Sequence, residues 1–513
     1  MKTHTNRRDF LTALGLGAAA LTLPRLAGSA AAGSPAANAA GAAGSQRPPN
    51  IVYFIIDELA PGDLSCTGNK YINTPNVDRL AAEGTRFTQA LAGGPVCAPT
   101  RSTLMTGQHT GHTTVRANGG GLPLRADDVT IAEVLERAGY ATGGFGKWGL
   151  GDRGSTGVPE RHGFDVFFGY YHQVHAQCYY PTYLIRNGEK AALEGNTGDM
   201  RKGKQYSQYL IFNEAVKFIR ENKDRPFFCY CPFTPPHGVC AIPEDDPAWL
   251  EYKDKPWKTA KGADFTDAKT YAAMVGMIDR QVGQIMALLK DMGLDENTIV
   301  FLSGDNGGNR YCGDFFQSNA PFRGKKGDLY EGGLRVPMIV RWPGKIKAGA
   351  VSDFLWYFPD VFPTLAELAH AEAPKDLDGI SIVPALLGEA VAGRRQETHE
   401  FLYWEYGAWT AVRMGNWKAV KPAARKRAAK KTAKGAARGP ANSEPKSSGE
   451  LAAWELYDLS TDIGEQRNVA AQHPDIAAKM AAFAQQSHTE DHVGTWIDKS
   501  RAFKGQKESA ATP

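Results

Sequence analysis

Residues 271–307 read YAAMVGMIDRQVGQIMALLKDMGLDENTIVFLSGDNG, which is the pattern of a helix followed by a buried strand. Gly293 marks the point where the helix is expected to end. The run 298–303 is apolar enough for a strand covered on both faces, and it leads into Asp305-Asn306-Gly307. The apolar positions at helical spacing are Tyr271, Val275, Ile278, Val282, Ile285 and Leu289. A helix that feeds a buried strand is the repeating unit of an α/β fold.

The same pattern recurs towards the N-terminus. Residues 50–57, NIVYFIID, form an apolar run that ends in a carboxylate, and the run 226–233 leads to His237. Residues 129–138 have helical periodicity and precede a short strand candidate at 140–145. We therefore predict a mainly parallel sheet flanked by helices. Ligands of such folds gather beyond the carboxyl ends of the strands, where Asp57, His237 and Asp305 lie.

The pattern changes at about residue 386. Short strand-like pieces at 401–404, 411–414, 417–420 and 455–459 precede a helical pattern at 476–486. This predicts a smaller antiparallel α+β domain over 386–500, beside a larger domain over 48–385.

Residues 421–450 have the composition of a disordered insertion. They carry a net charge of +7, whereas the whole chain has a net charge of +4, so the remaining residues sum to −3. That balance argues against a nucleic-acid partner.

The N-terminus has the pattern of an export signal. Arg7-Arg8 precedes an apolar run to Leu23 and then the small residues 27–32. We predict a twin-arginine signal peptide over 1–32 and a flexible spacer over 33–47, and thus a periplasmic or secreted protein. The alternative, a membrane anchor, fits less well because the run is short for a bilayer. No later segment is long and apolar enough for stable membrane insertion.

The chain has seven cysteines, an odd number for an exported protein. At least one therefore lies outside any intramolecular set of disulfides, and Cys97 is the candidate. Cys229 and Cys231 lie in an apolar run and are predicted to be buried thiols. The pattern leaves the pairing of the others open.

The motif around Cys97 is the strongest chemical signal. It reads Cys97-Ala98-Pro99-Thr100-Arg101. Pro99 fits the first turn of a helix, so Cys97 would lie at the helix N-terminus, which favours an anion. Arg101 would lie on about the same face. Alone, a cysteine before a helix also fits a structural role.

Together the motifs resemble the type I sulfatase (arylsulfatase) family of the alkaline phosphatase superfamily, over most of residues 48–490. After Cys97-x-Pro99-x-Arg101 come Leu104-Met105-Thr106-Gly107, Gly146-Lys147-Trp148, Pro236-His237, residues 324–327 and 330–337, and residues 455–459 with 468–470. The resemblance implies a sulfuric ester hydrolase in which Cys97 is converted to formylglycine, whose hydrate is the nucleophile. It also implies a formylglycine-generating enzyme as partner, and a sulfated carbohydrate, sulfated small molecule or aryl sulfate as substrate.

The resemblance also implies roles for single residues. Metal ligands would be Asp57, Glu58, Asp305 and Asn306. Such hard oxygen donors suit Ca²⁺, or Mg²⁺, rather than zinc. The groups that balance the charge of sulfate and hydrate would be Arg101, Lys147, Lys326 and His237. Either His237 or Lys326 would protonate the leaving alcohol oxygen.

Two positions depart from the family pattern. Glu58 stands where the family usually has Asp, and Gly149 stands where many members have a histidine that contacts the nucleophile. Either His175 supplies the missing contact and binds substrate, or Lys147, His237 and Lys326 manage without it. His109 and His112 are predicted to be capping or packing residues.

Two other classes of function remain as alternatives. A phosphoester hydrolase of the same superfamily would usually hold two zinc ions with several His ligands and use Ser or Thr as nucleophile. Asn306 after Asp305, and Cys97 in the nucleophile position, argue against it. A non-catalytic glycan-binding protein is the second alternative, and the near-complete set of site residues argues against that.

Overall fold

The computed structural model describes residues 47–118, 123–257, 267–308, 312–423 and 453–490. The predicted signal peptide, the spacer except residue 47, and the basic insertion from residue 424 onward lie outside these ranges.

The described elements alternate between strands and helices over most of the chain. The strands are β1 Asn50–Ile56, β2 Thr85–Leu91, β3 Ala141–Lys147, β4 Val166–Tyr170, β5 Tyr183–Arg186, β6 Glu189–Ala192, β7 Phe227–Phe233, β8 Thr298–Gly304, β9 Met338–Arg341, β10 Ala350–Tyr357, β11 Leu402–Tyr406, β12 Trp409–Met414, β13 Trp417–Lys421 and β14 Glu455–Asp458. The α-helices are α1 Pro75–Ala82, α2 Cys97–Thr106, α3 Ile131–Arg137, α4 Ser207–Glu221, α5 Pro247–Tyr252, α6 Ala268–Asp291, α7 Gly313–Phe316, α8 Glu331–Leu334, α9 Val361–Leu368, α10 Val383–Leu387, α11 Glu389–Ala392 and α12 Pro474–Ser487.

Ten strands form one sheet in the order β10-β2-β9-β8-β1-β7-β3-β4-β5-β6. The central strands β8, β1, β7, β3 and β4 run parallel to one another. Antiparallel pairing is confined to β9, which lies between β2 and β8, and to β5 and β6 at one edge. The predicted mainly parallel sheet flanked by helices is confirmed. The sequence pattern did not indicate β2, β4, β5, β6, β9 or β10.

The sheet is covered on both faces, which explains why β1 is apolar at every position after Asn50. Val52, Phe54 and Ile56 enter one hydrophobic core, which includes the buried side of α6. Ile51 and Tyr53 enter the other core, on the opposite face. Side chains alternate between faces along a strand, so a strand between two cores has no solvent-facing position.

The second sheet is antiparallel and follows chain order, β11-β12-β13-β14. One face packs on the larger unit, where Trp404 and Val420 meet Leu334 and Tyr357. The other face packs against α12, where Met480 and Phe483 enter the same hydrophobic cluster as Val412 and Ala419. This confirms the smaller antiparallel α+β unit.

Two further features bear on the sequence predictions. No disulfide joins any of the seven cysteines, all of which are described, and the thiols of Cys229 and Cys231 lie 3.7 Å apart inside β7. The prediction that these two are buried thiols is therefore confirmed.

Among the described residues, none of the helices combines the length and the apolar character needed to cross a bilayer.

Candidate active site

Four neighbouring parallel strands deliver polar side chains to one edge of the large sheet. Asp57 follows β1, Asp305 follows β8, Lys147 is the last residue of β3, and His237 lies in the turn after β7. Because β8, β1, β7 and β3 are adjacent in the sheet, their carboxyl ends meet at this edge. Asp57, His237 and Asp305, which were predicted from strand ends alone, therefore lie at the same edge of the sheet, together with Lys147.

Cys97 is the first residue of α2 and is 1% exposed. Its Sγ lies 3.2 Å from Asp57 Oδ1 and 3.4 Å from Lys326 Nζ. Burial, followed by the charge of Asp57, raises the pKa of the Cys97 thiol to about 12. At neutral pH the group at this position is thus an uncharged thiol at a helix N-terminus.

Arg101 lies one turn further along α2 and is fully buried. Its guanidinium donates to the Lys147 carbonyl oxygen at 2.6 Å and to Asp305 Oδ2 at 3.0 Å. The Arg101 Nη2 atom that bonds Asp305 also lies 3.5 Å from Asp57 Oδ2. This oxygen of Asp57 also accepts a hydrogen bond from Lys147 Nζ at 2.5 Å. Arg101 therefore ties together the ends of β1, β8 and β3.

Glu58 has a left-handed backbone, with φ of 65°, and its N–H donates to Asp305 Oδ1 at 3.0 Å. Its carboxylate contacts Lys326 Nζ and lies 3.2 Å from His237 Nε2. Burial acts to raise the pKa of Glu58, but His237 and Lys326 lower it overall. Glu58 thus contacts both Lys326 and His237 on one side of the site. On the other side, Arg101 and Lys147 pair with Asp57.

The oxygen donors at this edge fit a metal ion. Asn306 Oδ1 is buried and has no hydrogen-bond partner in the structure, so it offers a free lone pair next to Asp305. Burial and the nearby charge of Asp57 raise the pKa of Asp305 to about 6. Asp57, Cys97 and His237 also each offer an atom within 4.8 Å of the others. A hard cation among these oxygens would relieve the repulsion between the two carboxylates and give Asn306 a partner.

The net charge of the cluster suits an anionic ligand once a divalent cation is added. Burial acts to raise the pKa of Asp57, but Lys147, the protonated form of His237 and Arg101 hold it well below its ordinary value. Burial lowers the pKa of His237 to about 4, so this imidazole is neutral at pH 7. Three carboxylates then face three cations: Asp57, Glu58 and Asp305 against Arg101, Lys147 and Lys326. A divalent ion would leave a surplus of positive charge for a sulfate ester.

His175 is not brought to this cluster by any hydrogen bond or ion pair of the described residues. Its ring packs against Tyr170 and Tyr183, with centroids 5.0 and 4.6 Å away. Burial lowers its pKa to about 4. These surroundings are those of a packed neutral histidine.

His109 and His112 lie just beyond the end of α2. Their rings stack at 4.1 Å, and His112 Nδ1 pairs with the Asp378 carboxylate at 2.9 Å. Burial lowers the pKa of His109 to about 4, so its ring is neutral at pH 7; because the Gly111 N–H donates to His109 Nδ1, the ring proton lies on Nε2. This agrees with the packing role predicted for both residues.

The sequence pattern gave no sign of Gln173. Gly149 has φ of +82°, and a Cβ built there would lie 2.2 Å from Gln173 Nε2. Gln173 is buried, and its Oε1 has no partner in the structure. The space that a side chain at position 149 would need is therefore taken by Gln173 and not by His175.

Comparison with known proteins agrees with the fold and with the motifs. Residues 49–371 match the family model described as Sulfatase, and residues 325–421 match the model described as N-sulphoglucosamine sulphohydrolase, C-terminal. The first of these matches covers well over half of the chain.

Relatives of similar length extend the match. The chain is 33% identical to N-acetylgalactosamine-6-sulfatase of Canis lupus familiaris over an alignment of 409 residues that covers 74% of this chain and 73% of that protein. It is 32% identical to human arylsulfatase A over an alignment of 457 residues that covers 82% of this chain and 83% of that protein. A solved structure of Ps i-CgsB in complex with k-i-k-neocarrahexaose superposes with a TM-score of 0.69 at 26% identity, covering 88% of this chain and 96% of the other.

Proposed function

The chain belongs to the sulfatase family and is a sulfuric ester hydrolase, and we propose that its nucleophile is a formylglycine made from Cys97. The observation that carries the proposal is the position of Cys97, between Asp57 and Lys326 at the start of α2. The reactive form of cysteine is the thiolate, and a thiol whose pKa is about 12 provides very little of it at neutral pH. An aldehyde hydrate at the same position would not depend on a buried thiolate.

The formylglycine hydrate would supply one hydroxyl that attacks sulfur and a second that expels sulfate and restores the aldehyde. Arg101 and Lys147 hold Asp57 and Asp305 in place and balance their charge. Lys326 lies within 3.4 Å of the reacting side chain and would bind the sulfate oxygens. Lys326 would give a proton to the alcohol oxygen as its bond to sulfur breaks; His237 could do so only in its protonated form, which a pKa of about 4 makes scarce at pH 7. Lys147 and His237 would contact the sulfate group from the other strand ends.

The metal is proposed to be Ca²⁺, with Mg²⁺ as the second choice. Asp57, Glu58, Asp305 and Asn306 would hold it, since all four offer oxygen atoms and Asn306 Oδ1 has no other partner. When bound, the ion would act as a Lewis acid towards the sulfate and favour ionisation of the attacking hydroxyl.

We further propose that the substrate is a sulfated glycan or a sulfated small molecule met outside the cytoplasm. The relatives support this in part: one is named for a sulfated sugar, and one structure holds a neocarrahexaose. The twin-arginine pattern at 1–32 supports export to the periplasm or medium, after a formylglycine-generating enzyme has acted in the cytoplasm.

We propose that the catalytic domain spans residues 48–385 and the C-terminal α+β subdomain residues 386–500.

The basic insertion 421–450 is proposed to capture polyanionic substrates. Deleting it should leave hydrolysis of a small aryl sulfate unchanged and weaken binding of a sulfated polymer at low salt. If the deletion leaves binding of the sulfated polymer unchanged, the insertion does not capture polyanionic substrates.

One experiment tests the central proposal. Protein co-expressed with a formylglycine-generating enzyme is assayed with a chromogenic aryl sulfate and then with a panel of sulfated sugars, with sulfate release as the readout. Mass spectrometry of tryptic peptide 87–101 should show the aldehyde at position 97 in proportion to the activity. Full activity from protein with an intact Cys97 thiol would overturn the mechanism.

A further inference from the structure

The segment that carries Lys326 is anchored to the C-terminal sheet through Glu331. This residue begins α8 and is completely buried. Its carboxylate contacts Lys418 Nζ at 2.9 Å, Arg335 Nε at 2.5 Å and Arg413 NH1 at 3.4 Å. Lys418 lies in β13 and Arg413 in β12, so two strands of the small sheet hold a residue of the large unit.

The other end of the same segment is held by the same sheet. Arg323 NH1 donates to Tyr457 Oη at 2.8 Å and to the Glu465 carbonyl oxygen at 2.9 Å. The Arg323 guanidinium also lies 3.8 Å from the centre of the Tyr330 ring. Glu465 in turn accepts from the Glu331 N–H at 2.7 Å. Residues 323–331 are thus fixed at both ends by the C-terminal unit.

Between these anchors the backbone is in contact with the active site and has little room to move. The Lys326 N–H donates to Gly308 O at 3.2 Å, and the Gly327 N–H donates to Pro95 O at 2.9 Å, two residues before Cys97. The Gly307 N–H donates to Gly333 O at 3.0 Å. A Cβ at Gly333 would lie 2.0 Å from Asp328 O, so the loop is closed tightly on itself. A shift of Glu331 would therefore move both Lys326 and the turn after Asp305.

We propose that Lys418 is a positioning residue, which acts through Glu331 to hold Lys326 at its distance from residue 97. The inference rests on the role proposed above for Lys326. Lys418 Nζ also lies 3.4 Å from Glu465 Oε1, so one fully buried ammonium group keeps two carboxylates side by side. Without it Glu331 keeps Arg335 and Arg413 but loses the cation that it shares with Glu465, so the two carboxyl groups are no longer held together and the base of the loop loosens. A misplacement of about 1 Å at a reacting group costs up to about 100-fold in rate.

The test compares Lys418→Met with Met480→Ala in the full-length, formylglycine-containing enzyme. Met480 is fully buried under the far face of the same sheet, so its truncation destabilises the C-terminal unit without touching the loop. With a chromogenic aryl sulfate, well below both melting temperatures, we expect Lys418→Met to lower kcat by about 10- to 100-fold. KM and the formylglycine content should change little, Lys418→Arg should recover part of kcat, and Met480→Ala should keep the kcat of the parent.

A double-mutant cycle separates positioning from general damage. If Lys418 acts through Lys326, adding Lys418→Met to Lys326→Ala should lower kcat by much less than it does in the parent enzyme. Equal factors in both backgrounds, or a normal kcat for Lys418→Met, would overturn the inference. Should Lys418→Met fail to fold, Tyr457→Phe takes its place in the same cycle; it removes the hydrogen bonds that Tyr457 Oη makes with Arg323 and Glu455 at the other anchor of the loop. If Lys326→Ala itself has normal kcat, the role proposed for Lys326 fails instead.

Discussion

Cys97 Sγ donates a hydrogen bond to Asp57 Oδ1 at 3.2 Å, while the other oxygen of that carboxylate accepts from Lys147. A thiolate at position 97 would lie directly against this buried negative charge. That repulsion, added to burial, keeps the thiol protonated. Without a bound metal ion, the side chains around position 97 thus favour an uncharged group there, and both a thiol and an aldehyde hydrate satisfy this.

Protein made without the formylglycine-generating enzyme should have a Cys97 thiol that resists alkylation. With a pKa of about 12, its thiolate fraction at pH 8 is about a thousand times lower than that of an ordinary cysteine. The measurement is the rate of iodoacetamide labelling of peptide 87–101 by mass spectrometry, with the urea-unfolded chain as control. Labelling of folded protein at the unfolded rate would contradict the buried neutral thiol.

Asn306→Ala should remove metal binding with little damage to the fold, because Asn306 Oδ1 has no partner in the structure. Calcium at about 100 times its Kd should raise the free energy of unfolding of the parent by about 2.7 kcal/mol. The variant should show a much smaller rise and lose most of its sulfatase activity. Calorimetry with and without a chelator measures this, and Asp127→Ala, at an exposed position, is the control. An equal response to calcium in both proteins would exclude Asn306 as a ligand.

The central strands and the site at their ends could be predicted because each has a local signature. β1, β7 and β8 are apolar at every position apart from a few small polar residues, and Asp57 and Asp305 follow such runs directly. Strands β4, β5 and β6 are short or partly exposed, and their pairing depends on distant partners, so no local pattern indicated them. For the same reason, the sequence did not predict the position of Gln173 beside Gly149 or the ion pair between Glu331 and Lys418. Each depends on two segments that meet only in the folded chain.

The ion pair between His399 and Asp360 makes part of the stability depend on pH. His399 Nε2 lies 2.7 Å from Asp360 Oδ1, and this carboxylate raises the pKa of His399 although burial opposes it. A raised pKa means that the pair stabilises the fold fully below the unfolded-state pKa, about 6.5, and that this contribution is lost as pH rises through the folded-state pKa. His399→Gln should therefore lower the free energy of unfolding more at pH 5.5 than at pH 9. Urea titrations at both pH values measure the difference, and a loss that is the same at both would show that the pair is not ionic.

Gly149→His should lower stability and should not improve catalysis. The backbone of the new histidine would have to keep the positive φ of Gly149, and its Cβ would lie 2.2 Å from Gln173 Nε2. Gly188→His is the matched control, because its φ is +84° but no atom lies within 4 Å of a Cβ there. We expect Gly149→His to be the more destabilised by about 1–3 kcal/mol, the usual range for overpacking, and Gln173→Ala to recover part of that loss. Equal stability of the two histidine variants would show that Gln173 leaves the space open.

His175→Ala should lower stability and leave the turnover of folded enzyme near normal. The ring of His175 packs between Tyr170 and Tyr183, and burial keeps it neutral by lowering its pKa to about 4. Removing it leaves a gap between two aromatic rings, which should cost about 1–3 kcal/mol. His175→Phe fills that gap without any titratable group, so it should keep most of the stability as well as the turnover. The measurements are Tm and kcat for a chromogenic aryl sulfate in both variants. A site residue would give the opposite result: both variants would keep their Tm and lose about 10²- to 10⁴-fold in kcat.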